Sequence, residues 1–242
     1  MQVALFDAAK LCEPWLARKY NKYIHHSSPP WRADPQYFQT RLPDLAPGVI
    51  DVSPGWYMTG HEVASPMLRH WRGTEWSTLM REPAALVSGL LRIMHPDQYR
   101  MARDMMMRLA RFQHLEDPLR RWPAIVTAIA MIANRESPLH RDSGAQHPWF
   151  DILVSVGDYS TAEFHMDSLG CIIPNPPGTA IALSGAAIRH GSAHADGSRV
   201  CYSFYMREDV RRSLGVPAAG WIRQQVYEAC LGSHPGNVRI IL

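Results

Sequence analysis

The chain has 242 residues, 46% hydrophobic, 10% aromatic and 19% charged, which excludes an intrinsically disordered protein and allows one large domain or two small ones. Net charge is only +3, and the four cysteines (Cys12, Cys171, Cys201, Cys230) form no Cys-x-x-Cys pair, which excludes a disulfide framework and a zinc ribbon and leaves them as buried thiols. The longest nearly uninterrupted apolar run, residues 122–133, is too short to cross a bilayer, and the first residues lack the charged-then-apolar order of a secretory signal, so the expectation is a soluble intracellular protein.

Residues 1–60 are rich in aromatics, Pro and His (Trp15, Trp31, Tyr37, Trp56) without a sustained period, and predict irregular structure tied down by aromatic anchors. Helical spacing follows over 82–94, with Leu86, Leu90, Leu91 and Met94 on one face, and over 98–112, with His95-Pro96-Asp97 between the two. The second segment interleaves Met101, Met105, Leu109 and Phe112 with Arg100, Arg103, Arg108 and Arg111. The methionines read as core filling, and the arginines as a solvated face or a phosphate surface. Residues 69–121 hold 10 Arg against 6 acidic residues, the basic excess of the chain.

Beyond Pro123 the texture changes to short β-type runs at 124–133, 150–156, 162–165, 171–173, 179–183, 187–190 and 200–206, bounded by Gly, Pro, Asp and Asn. That spacing predicts an antiparallel sandwich or barrel. Residues 219–231 are again helical in pattern. The organisation expected is an N-terminal irregular and helical region (1–121) packing on a core (122–212) with a C-terminal helical extension (213–242), together one catalytic unit.

The chemistry-bearing residues begin after the first of these strands. In His140-x-Asp142 a strand leaving a turn aims an imidazole and a carboxylate at one cation, because residues i and i+2 share a face. His190, on a later strand, supplies a third ligand, and two His with one carboxylate make the facial set of non-haem Fe(II) oxygenases. Arg199, across a turn at Asp196-Gly197, lies on an adjacent strand where its guanidinium can clamp the distal carboxylate of a keto-acid. A protein-kinase reading of His140-Arg141-Asp142 fails, since His147 stands where Asn is needed and no Asp-Phe-Gly follows. His194 is the alternative third ligand, and purely structural, hydrogen-bonded histidines are the alternative to a metal site altogether.

The stretch Asn134-Arg135 leading into His140-Arg141-Asp142, then Trp149-Phe150-Asp151-Ile152-Leu153-Val154, Pro177-Gly178-Thr179 with Leu183-Ser184-Gly185, and His190 followed by Arg199-Val200-Cys201-Tyr202-Ser203 resembles the TET/J-binding-protein family of Fe(II)/2-oxoglutarate dioxygenases, in particular its compact fungal members. The resemblance covers about residues 122–212. It implies an α+β fold with a double-stranded β-helix (jelly roll) core supported by N-terminal helices. It further implies Fe(II) held by His140, Asp142 and His190, with 2-oxoglutarate bound by Arg199 and also by Asn134, and O2 as the oxidant. Where relatives place Ser or Thr two residues after the Arg, this chain has Cys201, one hydrogen bond fewer for the carboxylate. Strand alternation puts Cys201, Ser203, Tyr205 and Arg207 on the face of Arg199, from the cosubstrate floor toward the mouth.

The activity implied is oxidation of the methyl group of a methylated DNA base, 5-methylcytosine or N6-methyladenine, flipped from the duplex into the pocket by a monomeric nuclear enzyme. Trp149, Phe150, Tyr205 and Arg207 are the expected substrate contacts. The alternatives are a 2-oxoglutarate oxygenase acting on RNA, protein or a small molecule, and a non-catalytic jelly-roll binding module.

Overall fold

The computed structural model describes residues 1–40 and 45–223. The chain opens with helices α1 (Gln2–Leu11) and α2 (Glu13–Tyr23), a strap containing two 3-10 turns (Trp31–Ala33 and Pro35–Tyr37), strand β1 (Gly48–Val52) and the hairpin β2 (Trp56–Met58) and β3 (His61–Val63). Helices α3 (Trp71–Met94), α4 (Pro96–Leu109) and α5 (Glu116–Arg121) precede β4 (Ala128–Ala133), β5 (Ser137–His140), β6 (Asp151–Asp158), β7 (Glu163–Met166), β8 (Cys171–Pro174), β9 (Ala180–Leu183), β10 (His190–Ser192), β11 (Ser198–Tyr205) and α6 (Glu208–Ser213).

Two antiparallel sheets form the core, one of order β1-β4-β11-β6-β9 and one of order β5-β10-β7-β8. With a cavity between them lined from both, this is the jelly roll with supporting helices, an α+β fold. Period-two alternation builds the larger sheet. On β11 Val200, Tyr202 and Phe204 are fully buried on one face while Arg199, Cys201, Ser203 and Tyr205 line the cavity on the other. β6 repeats the pattern, with Ile152, Val154 and Val156 in the core and Asp151, Leu153 and Ser155 at the cavity.

The core face is covered by helices. Leu5, Ala8 and Ala9 of α1 and Trp76, Met80, Ala84, Val87 and Leu91 of α3 join one apolar cluster with Ile129, Met131, Val154 and Tyr202. The Tyr202 hydroxyl donates to the carbonyl of Leu5 at 2.6 Å, so the one polar atom of that side chain is satisfied where water cannot reach it.

Several expectations need correction. Residues 1–60 are not mainly irregular: they carry two helices and β1, which pairs antiparallel with β4 from Gly48↔Ala133 to Val52↔Ile129, so the larger sheet extends beyond 122–212. Helix α3 starts eleven residues before the expected 82, running through Pro83. Its buried face is Met80, Ala84, Val87 and Leu91, whereas Leu86 and Leu90 are exposed. Strand β10 begins at His190 rather than ending there, because the Ser184 carbonyl and hydroxyl both accept from backbone N–H groups at 187–188 and hold a turn. Residues 219–223 of the expected C-terminal helix are irregular, and the rest of it lies outside the described residues.

Candidate active site

β5 and β10 are paired so that His140 and His190 stand directly opposite each other, and their ring centroids are 4.4 Å apart. Each ring is oriented by a backbone carbonyl two residues earlier: Nδ1–H of His140 donates to the Pro138 carbonyl at 2.7 Å and Nδ1–H of His190 to the Ile188 carbonyl at 2.9 Å. A carbonyl only accepts, so the proton sits on Nδ1 and the Nε2 lone pairs are left for another partner. Both Nε2 atoms face Asp142, at 3.5 Å from Oδ1 for His140 and 3.7 Å from Oδ2 for His190. One ligand atom from each of the three residues lies within 4.8 Å of the others, a spacing that one divalent ion can bridge.

Asp142 is anchored by its backbone N–H, which donates to the Gly185 carbonyl at 2.9 Å. Gly185 is required there, since a Cβ would lie 2.6 Å from Asp142 Oδ2 and 2.7 Å from Asp151 Oδ2. Burial alone would raise the pKa of Asp142, but the hydrogen bond and charge of a protonated His140, with the charges of a protonated His190 and of Arg32, outweigh it and hold the carboxyl at about 2. Burial pushes His190 below the usual imidazole value, which favours the neutral form that a metal needs.

Arg199 is buried beside this set. One terminal nitrogen donates to the Arg135 carbonyl at 2.6 Å and to Ser192 Oγ at 3.1 Å, while the other, Nη1, has no protein partner. Arg135, also buried, has an unpartnered Nε, and burial with the neighbouring Arg32 charge lowers its pKa to about 10. Two buried cations with orphaned donors in one cavity fit an anion such as a keto-acid carboxylate. The His–Asp–His donor set and Arg199 together fit Fe(II) and 2-oxoglutarate.

The cavity has a volume of about 720 Å³, in the range of small-molecule sites. His140, Asp142, His190, Arg199, Cys201, Tyr205 and Arg207 all line it. Asp151 does so as well; it is buried, has an unpartnered Oδ1, and is raised well above the usual carboxyl pKa by burial and by the Asp142 charge. Tyr205 donates to Asp51 Oδ1 at 3.2 Å.

Three expected contacts are placed elsewhere. Trp149 is fully buried, with its indole N–H donated to the Ala219 carbonyl at 3.2 Å, and therefore cannot stack on a substrate. Phe150 packs on the core edge-on to His95, at 5.4 Å between centroids, and does not line the cavity. Asn134 is a backbone staple rather than a cosubstrate ligand: its Oδ1 accepts the Arg199 N–H at 2.9 Å and its Nδ2 donates to the Leu45 carbonyl at 2.8 Å. His194 lies 2.8 Å from Glu136 Oε2, away from the His140–Asp142–His190 set. None of the arginines of 69–121 lines the cavity.

Arg135, Asp151 and Ser192 are site residues that the pattern reading did not single out. Ser192 was accessible from alternation, two residues after His190 on the same strand face, and it supplies a hydroxyl to Arg199 where Cys201 does not.

The oxygenase-domain model of the Tet/JBP family, within the 2-oxoglutarate- and Fe(II)-dependent dioxygenase superfamily, matches residues 56–208. Members of that superfamily use Fe(II), 2-oxoglutarate and O2. Among solved structures the chain is similar to NgTET1 in complex with 5mC DNA, at 11% identity and TM-score 0.46, covering 76% of this chain and 69% of that one. A second similar structure is an RmlC-like cupin protein from Desulfovibrio desulfuricans, at 19% identity and TM-score 0.26, covering 31% of this chain and 68% of that one. No curated protein matches the chain. Since the family match takes in more than half of the sequence and contains the histidine pair, the aspartate and the buried arginine, the chain belongs to the Tet/JBP family of dioxygenase domains.

Proposed function

We propose that the protein oxidises the methyl group of a methylated base in DNA, 5-methylcytosine or N6-methyladenine, taken out of the duplex into the cavity, and that it acts as a monomer in the nucleus. The observation that carries this reading is the convergence of His140, Asp142 and His190 with the unpartnered Nη1 of Arg199 in one cavity of about 720 Å³, inside a chain of this family. Fe(II) with 2-oxoglutarate and O2, when bound, supplies the oxidation of a C–H bond as 2-oxoglutarate is converted to succinate and CO2.

The residues of the chain do the binding and orienting. His140 and His190 present Nε2, each fixed by a backbone carbonyl on Nδ1, and Asp142 presents a carboxylate that stays ionised far below neutral pH. Arg199 and Arg135 receive the carboxylates of the cosubstrate. Leu153, Ile181 and Phe164 supply apolar wall that keeps bulk water from the reacting centre. Toward the mouth Tyr205, Arg207 and the unpartnered Oδ1 of Asp151 offer hydrogen bonds to a polar ring, and Trp56 and Tyr57 offer faces for stacking.

The test is nucleoside mass spectrometry after aerobic incubation with Fe(II), 2-oxoglutarate and duplexes carrying either methylated base, with His140→Ala as control. An oxidised nucleoside that disappears in the control is the expected result. Succinate formed without a modified nucleoside removes DNA as substrate and leaves an oxygenase of another substrate class. Formation of neither oxidised nucleoside nor succinate would remove the enzyme reading in favour of a binding module.

A further inference from the structure

Residues 31–39 lie outside the family-matched span, yet Arg32 and Ala33 of this strap line the cavity. The strap is stitched to the chain just ahead of β5: the Gln39 N–H donates to the Asn134 carbonyl at 2.8 Å, the Glu136 N–H donates to the Tyr37 carbonyl at 2.9 Å, and Phe38 pairs with Arg135 in an antiparallel bridge. Arg135 Nη1 donates to the Arg32 carbonyl at 2.8 Å. These bonds fix the strap relative to the strand that carries His140.

Two strap side chains then reach the proposed metal ligands. Arg32 Nη2 donates to Asp142 Oδ1 at 2.6 Å, a charge-assisted bond to the one ligand that stands beyond the end of its strand. The Trp31 ring centroid is 4.5 Å from that of His140, and the same indole carries the Arg32 guanidinium at 4.5 Å and that of Arg135 at 5.1 Å. The indole thus packs one histidine ligand and holds the guanidinium that binds the carboxylate ligand.

We propose that Trp31 and Arg32 are positioning residues of the metal centre. Arg32 fixes the rotamer of the Asp142 carboxylate, and Trp31 fixes both the His140 ring and the Arg32 guanidinium. The histidines are each held by a backbone carbonyl two residues earlier in the chain, but the side chain of Asp142 has no such backbone partner among the described residues, so its orientation depends on the strap. Outer partners of metal ligands generally change affinity by about 10- to 100-fold when removed.

This inference rests on the metal reading of His140, Asp142 and His190, and the experiment separates the two. Mn(II), standing in for Fe(II), is titrated into the full chain without 2-oxoglutarate, for wild type, Arg32→Ala, Arg32→Lys, Trp31→Ala and Asp142→Ala, with thermal melting to verify folding. The Arg32 side chain is 42% exposed, so its removal is expected to leave the fold intact.

Arg32→Ala is expected to bind Mn(II) about 10- to 100-fold more weakly and Trp31→Ala to follow it. Arg32→Lys should recover part of the loss, and the 2-oxoglutarate dependence at saturating metal should be unchanged. Wild-type or tighter Mn(II) binding by Arg32→Ala, with Asp142→Ala impaired, would overturn the positioning role alone, tighter binding showing that Arg32 competes with the metal for the carboxylate. Wild-type binding by Asp142→Ala would overturn the metal reading and the positioning role with it.

Discussion

Gly185→Ala isolates the geometry of Asp142, the proposed carboxylate ligand. The added methyl would sit 2.6 Å from Asp142 Oδ2 and 2.7 Å from Asp151 Oδ2, against an ordinary contact limit of 3.4 Å, so the neighbouring oxygens must retreat by about 0.8 Å. Both oxygens must shift: the Asp142 side chain, 32% exposed, can turn aside, while Asp151, at 4% exposure, has less room, so the larger displacement falls on Asp142. Metal sites hold their ligands within roughly 0.2 Å, so a displacement of this size is expected to weaken Mn(II) binding by about 10- to 100-fold, or about 1.4 to 2.8 kcal/mol. Isothermal titration with Mn(II) measures the affinity and a metal-free thermal melt measures the fold. Because the clash is with side-chain tips and the Gly185 carbonyl still accepts from Asp142, the melt should move by only a few degrees. Wild-type metal affinity in this variant would refute the argument that Gly185 makes room for the ligand.

Arg199→Lys keeps the charge but loses the fork, and the 2-oxoglutarate concentration for half-maximal succinate formation is expected to rise about 10- to 100-fold; an unchanged value would remove Arg199 from the carboxylate site. Asn134→Ala leaves the Arg199 N–H and the Leu45 carbonyl unpaired and forces alanine to a φ of 51°, which should cost about 2 to 4 kcal/mol, read as a Tm fall on the order of 10 °C. Trp149→Phe should lower Tm yet leave turnover per folded molecule at the wild-type level, and a raised KM for the nucleic acid would restore Trp149 as a substrate contact. His95 accepts the Gln98 N–H on Nδ1 and donates from Nε2 to the Pro148 carbonyl, and burial lowers its pKa below 6.5. In the unfolded chain it takes up a proton near pH 6.5 and in the folded chain only at lower pH, so stability is full above 6.5 and is lost as pH falls from there toward the folded value. His95→Gln should flatten the fall of Tm between pH 7 and 5, and an equally steep fall in the variant would remove His95 as its source.

How far the sequence discloses the site depends on whether a residue lies on a periodic element. On β11 one anchor, Arg199, together with period two is enough to place Cys201, Ser203 and Tyr205, and Arg207 just past the strand's end, in the cavity and Val200, Tyr202 and Phe204 in the core. The histidine pair is legible because each residue ends or begins a β-type run. Helix α3 shows where pattern reading fails: it carries two apolar stripes, and hydrophobicity alone does not say that Met80, Ala84, Val87 and Leu91 face inward while Leu86, Leu90 and Ile93 face outward. Trp149 and Phe150 failed for a related reason, since an aromatic pair at a strand entrance serves a core as readily as a substrate, and it is tertiary contacts that decide it: the Ala219 carbonyl accepting the Trp149 indole N–H, and His95 edge-on to Phe150. Trp31 is legible only as an aromatic anchor and Arg32 not at all, because the strap has no repeat and its register is set by bonds to residues about a hundred positions later.

The larger sheet is a partition, and both of its faces are completed by residues outside the family-matched span. On the back, α1 buries Leu5, Ala8 and Ala9 against the same core as Val200 and Tyr202, and the Tyr202 hydroxyl is anchored to the Leu5 carbonyl. On the front, the strap reaches His140 and Asp142. Tyr202 follows Cys201 and precedes Ser203 on one stiff strand, so whatever fixes its ring from behind also fixes the cavity residues on either side of it. Close-packed interiors transmit displacement rather than absorb it, which couples the seating of α1 to the position of Arg199 even though the helix never touches the cavity. The N-terminal segment is therefore part of the site's construction from both directions: it is the packing behind the proposed carboxylate clamp and lies in front of the proposed metal ligands.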